Sequence, residues 1–161
     1  MLRKNNTFIF FEPSDVKKQF EFLYSDVGNT KEMNNVIITY SDYPTPEKPA
    51  VSETDEEERN WIYENINTAI TKIRDDKYTR QAIIYNLHES GLDHNCLSSF
   101  HLYYRKNKLN MNVYVRSMNF DKNIEQDLHT FNIVLNKACN ELMLDKGEIL
   151  VFIMSLHKFV K

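Results

Sequence analysis

Apolar and polar residues alternate at period two in several short stretches of this chain, and apolar residues recur every three or four positions in others. The pattern predicts strands interleaved with helices. The clearest helical run is 56–74, where Ile62, Ile66, Ile70 and Ile73 follow Trp61 on one face. A second, 124–143, turns Leu128, Phe131, Val134, Leu135 and Ala138 inward and is expected to close at Lys146-Gly147. A shorter helix is expected from Pro13 to about Tyr24, with Ser14 as N-cap and Val16, Phe20 and Leu23 sharing a face. Strands are predicted at 7–11, 35–40, 81–87 and 149–154. Residues 98–104 and 109–116 read as a hairpin joined by Arg105-Lys-Asn-Lys108, with Asn107 suited to a turn. In the second arm Met111, Val113 and Val115 alternate with Asn110, Asn112 and Tyr114, so one face is expected to be buried. Between 41 and 59, Pro44, Pro46 and Pro49 precede an acidic run, which predicts a surface loop leading into a helix N-terminus.

At 161 residues and 42% hydrophobic content the chain is expected to form one domain, 1–161, around its own core. A net charge of −3 and the lack of a dense basic run predict no nucleic-acid partner. No apolar run approaches the roughly 18 residues of a membrane span, and Met1-Leu-Arg-Lys-Asn-Asn has no signal-peptide character. No membrane association is therefore expected, and the expected compartment is the cytoplasm. Cys96 and Cys139 are expected as two reduced thiols rather than a disulfide.

Taken singly, the residues that carry chemistry have ordinary readings. Cys96 alone reads as a small buried apolar residue, Arg80 and Arg116 as surface ion-pair partners, and Glu21 and Asp127 as solvated helix acids. His88, His94, His101 and His129 lack metal-ligand spacing with the cysteines, so no metal is expected.

Their order along the chain adds to this. Cys96 stands twenty positions before Arg116 (116 − 96 = 20), at opposite ends of the predicted hairpin, and Ser117 follows directly. Asp127 comes eleven positions after Arg116 (127 − 116 = 11), and Gly147-Glu-Ile-Leu-Val runs on to His157 and Phe159. Upstream lie Glu21-Phe-Leu-Tyr-Ser-Asp-Val-Gly-Asn-Thr30 and Thr79-Arg80-Gln81-Ala82. In this order, from about 16 to 159, the chain resembles the thymidylate synthase and deoxycytidylate hydroxymethylase superfamily, as a member shortened at its C-terminus.

That resemblance implies an α/β (α+β) fold, a mixed twisted sheet backed by helices at Pro13, Glu56 and Ile124. It implies Cys96 as the nucleophile at C6 of a pyrimidine nucleotide and Glu21 as the general acid/base. Arg116, Ser117 and Arg80 would hold the phosphate, Arg80 reaching across a homodimer, and His157 would hold the sugar. Asp127 would read the base, and a protonated carboxyl there suits the N3 and amino group of cytosine. The implied activity is C5-methyl or hydroxymethyl transfer to a pyrimidine deoxynucleoside monophosphate, dCMP before dUMP, with 5,10-methylenetetrahydrofolate as one-carbon donor. The alternative is a catalytically inactive relative that binds a nucleotide or a protein partner.

Overall fold

The hairpin is part of a wider sheet. The computed structural model describes residues 1–4, 7–44, 53–86 and 96–160. Two short strands, β1 (Leu2–Lys4) and β2 (Thr7–Phe10), precede α1 (Pro13–Leu23), and β3 (Ser25–Val27) and β4 (Thr30–Tyr40) follow it. Next come α2 (Glu53–Asp75), β5 (Ile83–Tyr85), the hairpin arms β6 (Leu97–Arg105) and β7 (Lys108–Asn119), α3 (Ile124–Leu142) and β8 (Lys146–Phe159). The sheet order is β1-β2-β4-β8-β7-β6-β5, with β3 on the edge of β4. Because β4 pairs antiparallel with β8 while β7 pairs parallel with it, the sheet is mixed. The architecture is α+β, three helices with a mixed sheet among the described residues.

Local chemistry explains each boundary. Lys106 and Asn107 form the two-residue hairpin loop with φ of 53° and 61°, the left-handed pair that matches strand twist. Helix α1 is capped by Glu12, not by Ser14 as expected, because Pro13 takes the first helical position, where its missing N–H costs nothing. Helix α2 begins at Glu53, so the acidic residues expected in the 41–59 loop fall partly within its first turns, where free backbone N–H groups favour them. Of that loop, 45–52 lies outside the described residues. Helix α3 ends at Leu142 on a left-handed Met143, whose N–H returns to Asn140 and Cys139, so Lys146-Gly147 does not close the helix. Gly147 lies in β8 instead. A Cβ there would fall 2.1 Å from Asn110 Oδ1, the atom that accepts the Glu148 N–H, so the position has no room for a side chain.

Strands β4 and β8 are longer than the expected 35–40 and 149–154. Strand β5 is shorter than 81–87, of which Leu87 lies outside the described residues, and β1 and β3 have no counterpart in the expected set.

One core joins these elements. Val16 and Phe20 of α1, Ile62, Ile66, Ile70 and Ile73 of α2, and Leu128, Val134, Leu135 and Ala138 of α3 pack on the same sheet face. The opposite face carries Ile9, Ile37, Leu150, Phe152 and Tyr103 half-buried and Tyr114 exposed, with no helix over them among the described residues. In α3 the buried Asn132 donates to Asp42 and to the Tyr43 carbonyl and accepts from Lys146, which ties the segment after β4 and the start of β8 to this helix.

Candidate functional site

In β4, β8 and β7 the alternation of buried residues breaks at one shared level. Buried positions run Tyr40, Ile38, Val36 and then Met33; Ile149, Val151, Ile153 and then Leu156; Leu109, Met111, Val113, Val115 and then Met118. A step of two becomes a step of three in all three strands. The ladders stay in register across the break, since Val36 lies opposite Ile153 and Ile153 opposite Val115, then Asn34 opposite Ser155 and Ser155 opposite Ser117. Strand β6 meets the same level with a bulge between Leu97 and Ser99. Asn35 takes φ of 56°, a conformation that asparagine tolerates better than most side chains.

The consequence is chemical. Arg116 and Ser117 are consecutive, yet neither is buried, where plain alternation would send one of them into the core. Asn34-Asn35 and Met154-Ser155 do the same on the neighbouring strands. A cavity of about 690 Å³ opens here, lined by Arg116, Asn34, Asn35 and Ser155, with Glu32 and Ser25 beside them and Phe8, Leu23, Met33 and Met154 as apolar wall.

Two pairs of expected site residues meet at this level. The Arg116 N–H donates to the Cys96 carbonyl at 2.8 Å, which sets the half-buried cysteine beside the guanidinium-bearing residue. Ser117 Oγ lies 3.2 Å from His157 Nδ1, and Phe159 stands edge-on to the His157 ring at 5.3 Å. Glu32 lies opposite His157 on β4.

Glu21 sits on α1 between two ammonium groups, 2.9 Å from Lys158 and 3.3 Å from Lys31. The hydrogen bond from Lys158, seconded by Lys31, holds its carboxyl below the usual carboxylate range, and Lys158 in turn is raised. Lys158 also reaches Asp121 at 3.5 Å. Asp127 lies in the first turn of α3, and its charge acts on the buried Tyr40, which donates to the Leu128 carbonyl at 2.8 Å. Burial is the main cause that pushes the Tyr40 phenol up.

Arg80 is elsewhere. It lies in a second cavity, of about 580 Å³, with Lys72, Asp75, Asp76 and Tyr78. The bond from Leu102 N–H to the Ala82 carbonyl sets this segment toward the turn end of β6, whereas Cys96 precedes its other end. At about 3.3 Å per strand residue, that separation is on the order of 20 Å.

Cys139 is buried in α3, and burial pushes its thiol up to about 11. Among the described residues no group of three His, Cys, Asp or Glu is arranged to hold a metal, and no helix is long and apolar enough to cross a membrane.

Sequence reasoning did not find Lys31, Lys158, Glu32 or the asparagine pair. The available signal was the double break in alternation at Asn34-Asn35 and Met154-Ser155, which reads in sequence as the end of a strand. No family model matches this chain, and neither does any curated protein.

Proposed function

We propose that the chain is a pyrimidine deoxynucleotide-binding relative of the thymidylate synthase and deoxycytidylate hydroxymethylase enzymes, acting at C5 of the base with dCMP preferred over dUMP. One observation carries the reading: Arg116 with Cys96, and Ser117 with His157, meet at the level where the sheet breaks its alternation. Arg116 lines the nucleotide-sized cavity at this level, with Cys96 bonded to its backbone and Ser117, next to it in sequence, in contact with His157.

In this reading Arg116 and Ser117 hold the phosphate as directed donors, and His157 holds the sugar. The Cys96 thiolate forms an S–C6 bond, and the C5–C6 π pair moves to C5. C5 would then bond to the one-carbon unit and lose its proton as the bond from that unit to the carrier nitrogen breaks, and addition of hydride from the reduced carrier, or of hydroxide from water, at the exocyclic methylene would expel Cys96 as thiolate. Methylenetetrahydrofolate supplies the one-carbon unit when bound. The apolar side chains of Phe8, Leu23, Met33 and Met154 with Glu32 and Asn34 beside them offer the packing and hydrogen bonding that a pterin ring would use. The protons are managed by Glu21, whose charge is shared with Lys158 and Lys31.

Arg80 serves this reading only from a second copy, because its own chain sets it at the far end of β6. The uncovered sheet face, with Ile37, Leu150, Phe152 and Tyr103, is the surface through which a homodimer would form. Light scattering at micromolar concentration tests it: a dimer is expected, and a monomer would remove Arg80 from the site.

Asp127 reads the base. Asp127→Asn is expected to move preference from dCMP toward dUMP by roughly 1–3 kcal/mol, the worth of about one mispaired buried contact. Calorimetry with both nucleotides checks it, and equal affinities in the parent chain would remove Asp127 from the reading. A binding protein without catalysis is the second reading, favoured by the ion pairs that keep Glu21 ionised. Tritium release from the base separates the two.

A further inference from the structure

We propose that the corner formed by the end of α2 and the β6–β7 turn is a docking surface for single-stranded nucleic acid. Two segments far apart in sequence meet there. Arg105 Nη2 donates to the Tyr78 carbonyl at 3.2 Å, the Tyr78 ring stands edge-on to Tyr104 at 5.7 Å, and Lys77 Nζ lies 4.0 Å from the Tyr104 ring centroid. Lys106 and Lys108 flank Asn107 in the adjoining turn, and Lys72 is anchored on the Gln81 carbonyl at 2.9 Å. The corner therefore holds six cations, Lys72, Lys77, Arg80, Arg105, Lys106 and Lys108, against the two acids Asp75 and Asp76, in a chain of net charge −3.

These cations differ from others in the molecule. Lys17, Lys31, Lys137, Lys146 and Lys158 each meet a carboxylate. Among the described residues none of the six at this corner has a carboxylate oxygen within 4.0 Å. Positive charge that the fold leaves uncompensated, clustered and in solvent, matches a chain of phosphates, whose bound counterions are released when lysines replace them.

The aromatic ring selects the class of polyanion. Tyr78 is 64% exposed while its backbone carbonyl is held by Arg105 and its ring rests on the buried Tyr104. A fixed, exposed ring between lysines is a platform on which an unpaired base stacks, a contact that an acidic peptide does not use. The two segments are about thirty positions apart in sequence, which is why no basic run marks the surface.

The test is fluorescence anisotropy of an end-labelled oligo(dT) about twelve nucleotides long, titrated with the full chain at increasing salt. Saturable, salt-sensitive binding is expected. Joint Lys77→Gln, Lys106→Gln and Lys108→Gln should lower the slope of log affinity against log salt by about 2, and Tyr78→Ala should weaken binding at least about fivefold. Both variants should keep the parent far-UV circular dichroism, since all four residues are solvent-exposed. No binding by the parent chain at low salt, an unchanged slope in the triple variant, or an unchanged affinity in Tyr78→Ala would overturn the proposal. So would displacement by polyglutamate as effective as by unlabelled oligo(dT), which would identify an acidic protein as the partner.

Discussion

The backbone N–H of Arg116 donates to the carbonyl oxygen of Cys96 at 2.8 Å, so the end of β7 is tied to the residue before β6 through main chain alone. The tie does not depend on either side chain. Cys96→Ser is therefore expected to fold with stability within about 0.5 kcal/mol of the parent. In the parent, iodoacetamide near pH 8 should label Cys96 and spare Cys139, whose buried thiol is pushed up to about 11. Mass spectrometry of the native, alkylated chain reads this directly. An adduct on Cys139 before unfolding would mean that α3 opens in the native state.

Asn132 is 5% exposed and satisfies Asp42, the Tyr43 carbonyl and Lys146 together. Asn132→Leu removes both its donors and its acceptor and leaves the Lys146 ammonium with Asp42 alone. A loss of roughly 1–3 kcal/mol is expected in urea unfolding. A change below the error of the extrapolation would mean that water replaces the amide without cost.

Gly147→Ala should also destabilise, by roughly 1–3 kcal/mol, because the new methyl would meet the Asn110 side chain and the Leu109 carbonyl. Asn110→Ala relieves the nearer clash and in the same step frees the Glu148 N–H. The double variant is expected to lose less than the sum of the two singles. Additive losses would place the strain in the Leu109 backbone instead.

His101 gives a pH dependence whose sign follows from its surroundings. Burial, with Arg105 second, lowers its value from the ordinary 6.5, and its Nε2 has no hydrogen-bond partner. A lowered folded value means that the unfolded chain takes the proton first as pH falls. The contribution of His101 is thus intact above about 6.5 and is lost progressively below it, toward the folded value. His101→Phe should flatten the urea midpoint between about pH 7 and pH 5. A slope that survives the substitution would assign the loss to another group.

The sequence carried the elements whose patterns are local. The isoleucine ladder of α2, the inward row of α3 and the alternation of β7 through Val115 all fall where the periods set them. Boundaries failed where a neighbour decides them. Strand β8 continues past Met154 because β4 and β7 break alternation at the same level, and three adjacent strands can share an extra residue without losing register. Likewise Gly147 resembles a helix stop but is a strand residue crowded by Asn110. Of the candidate site, the spacing of Cys96 and Arg116 was legible as the length of a hairpin. The pairing of Glu21 with Lys158 and Lys31 was not, since 137 positions separate Glu21 from Lys158 and Lys31 lies on a strand beyond the end of its helix.

The central claim is a nucleophile at Cys96 acting on a pyrimidine nucleotide, and tritium release from 5-tritiated dCMP and dUMP measures it most directly, with and without methylenetetrahydrofolate. Release requires a bond at C6 that makes C5 exchange its hydrogen. The parent chain and Cys139→Ser are expected to release tritium, faster from dCMP, and Cys96→Ser is expected to release none while remaining folded. Equal release from Cys96→Ser, or no release from either nucleotide by the folded parent chain, would contradict the claim.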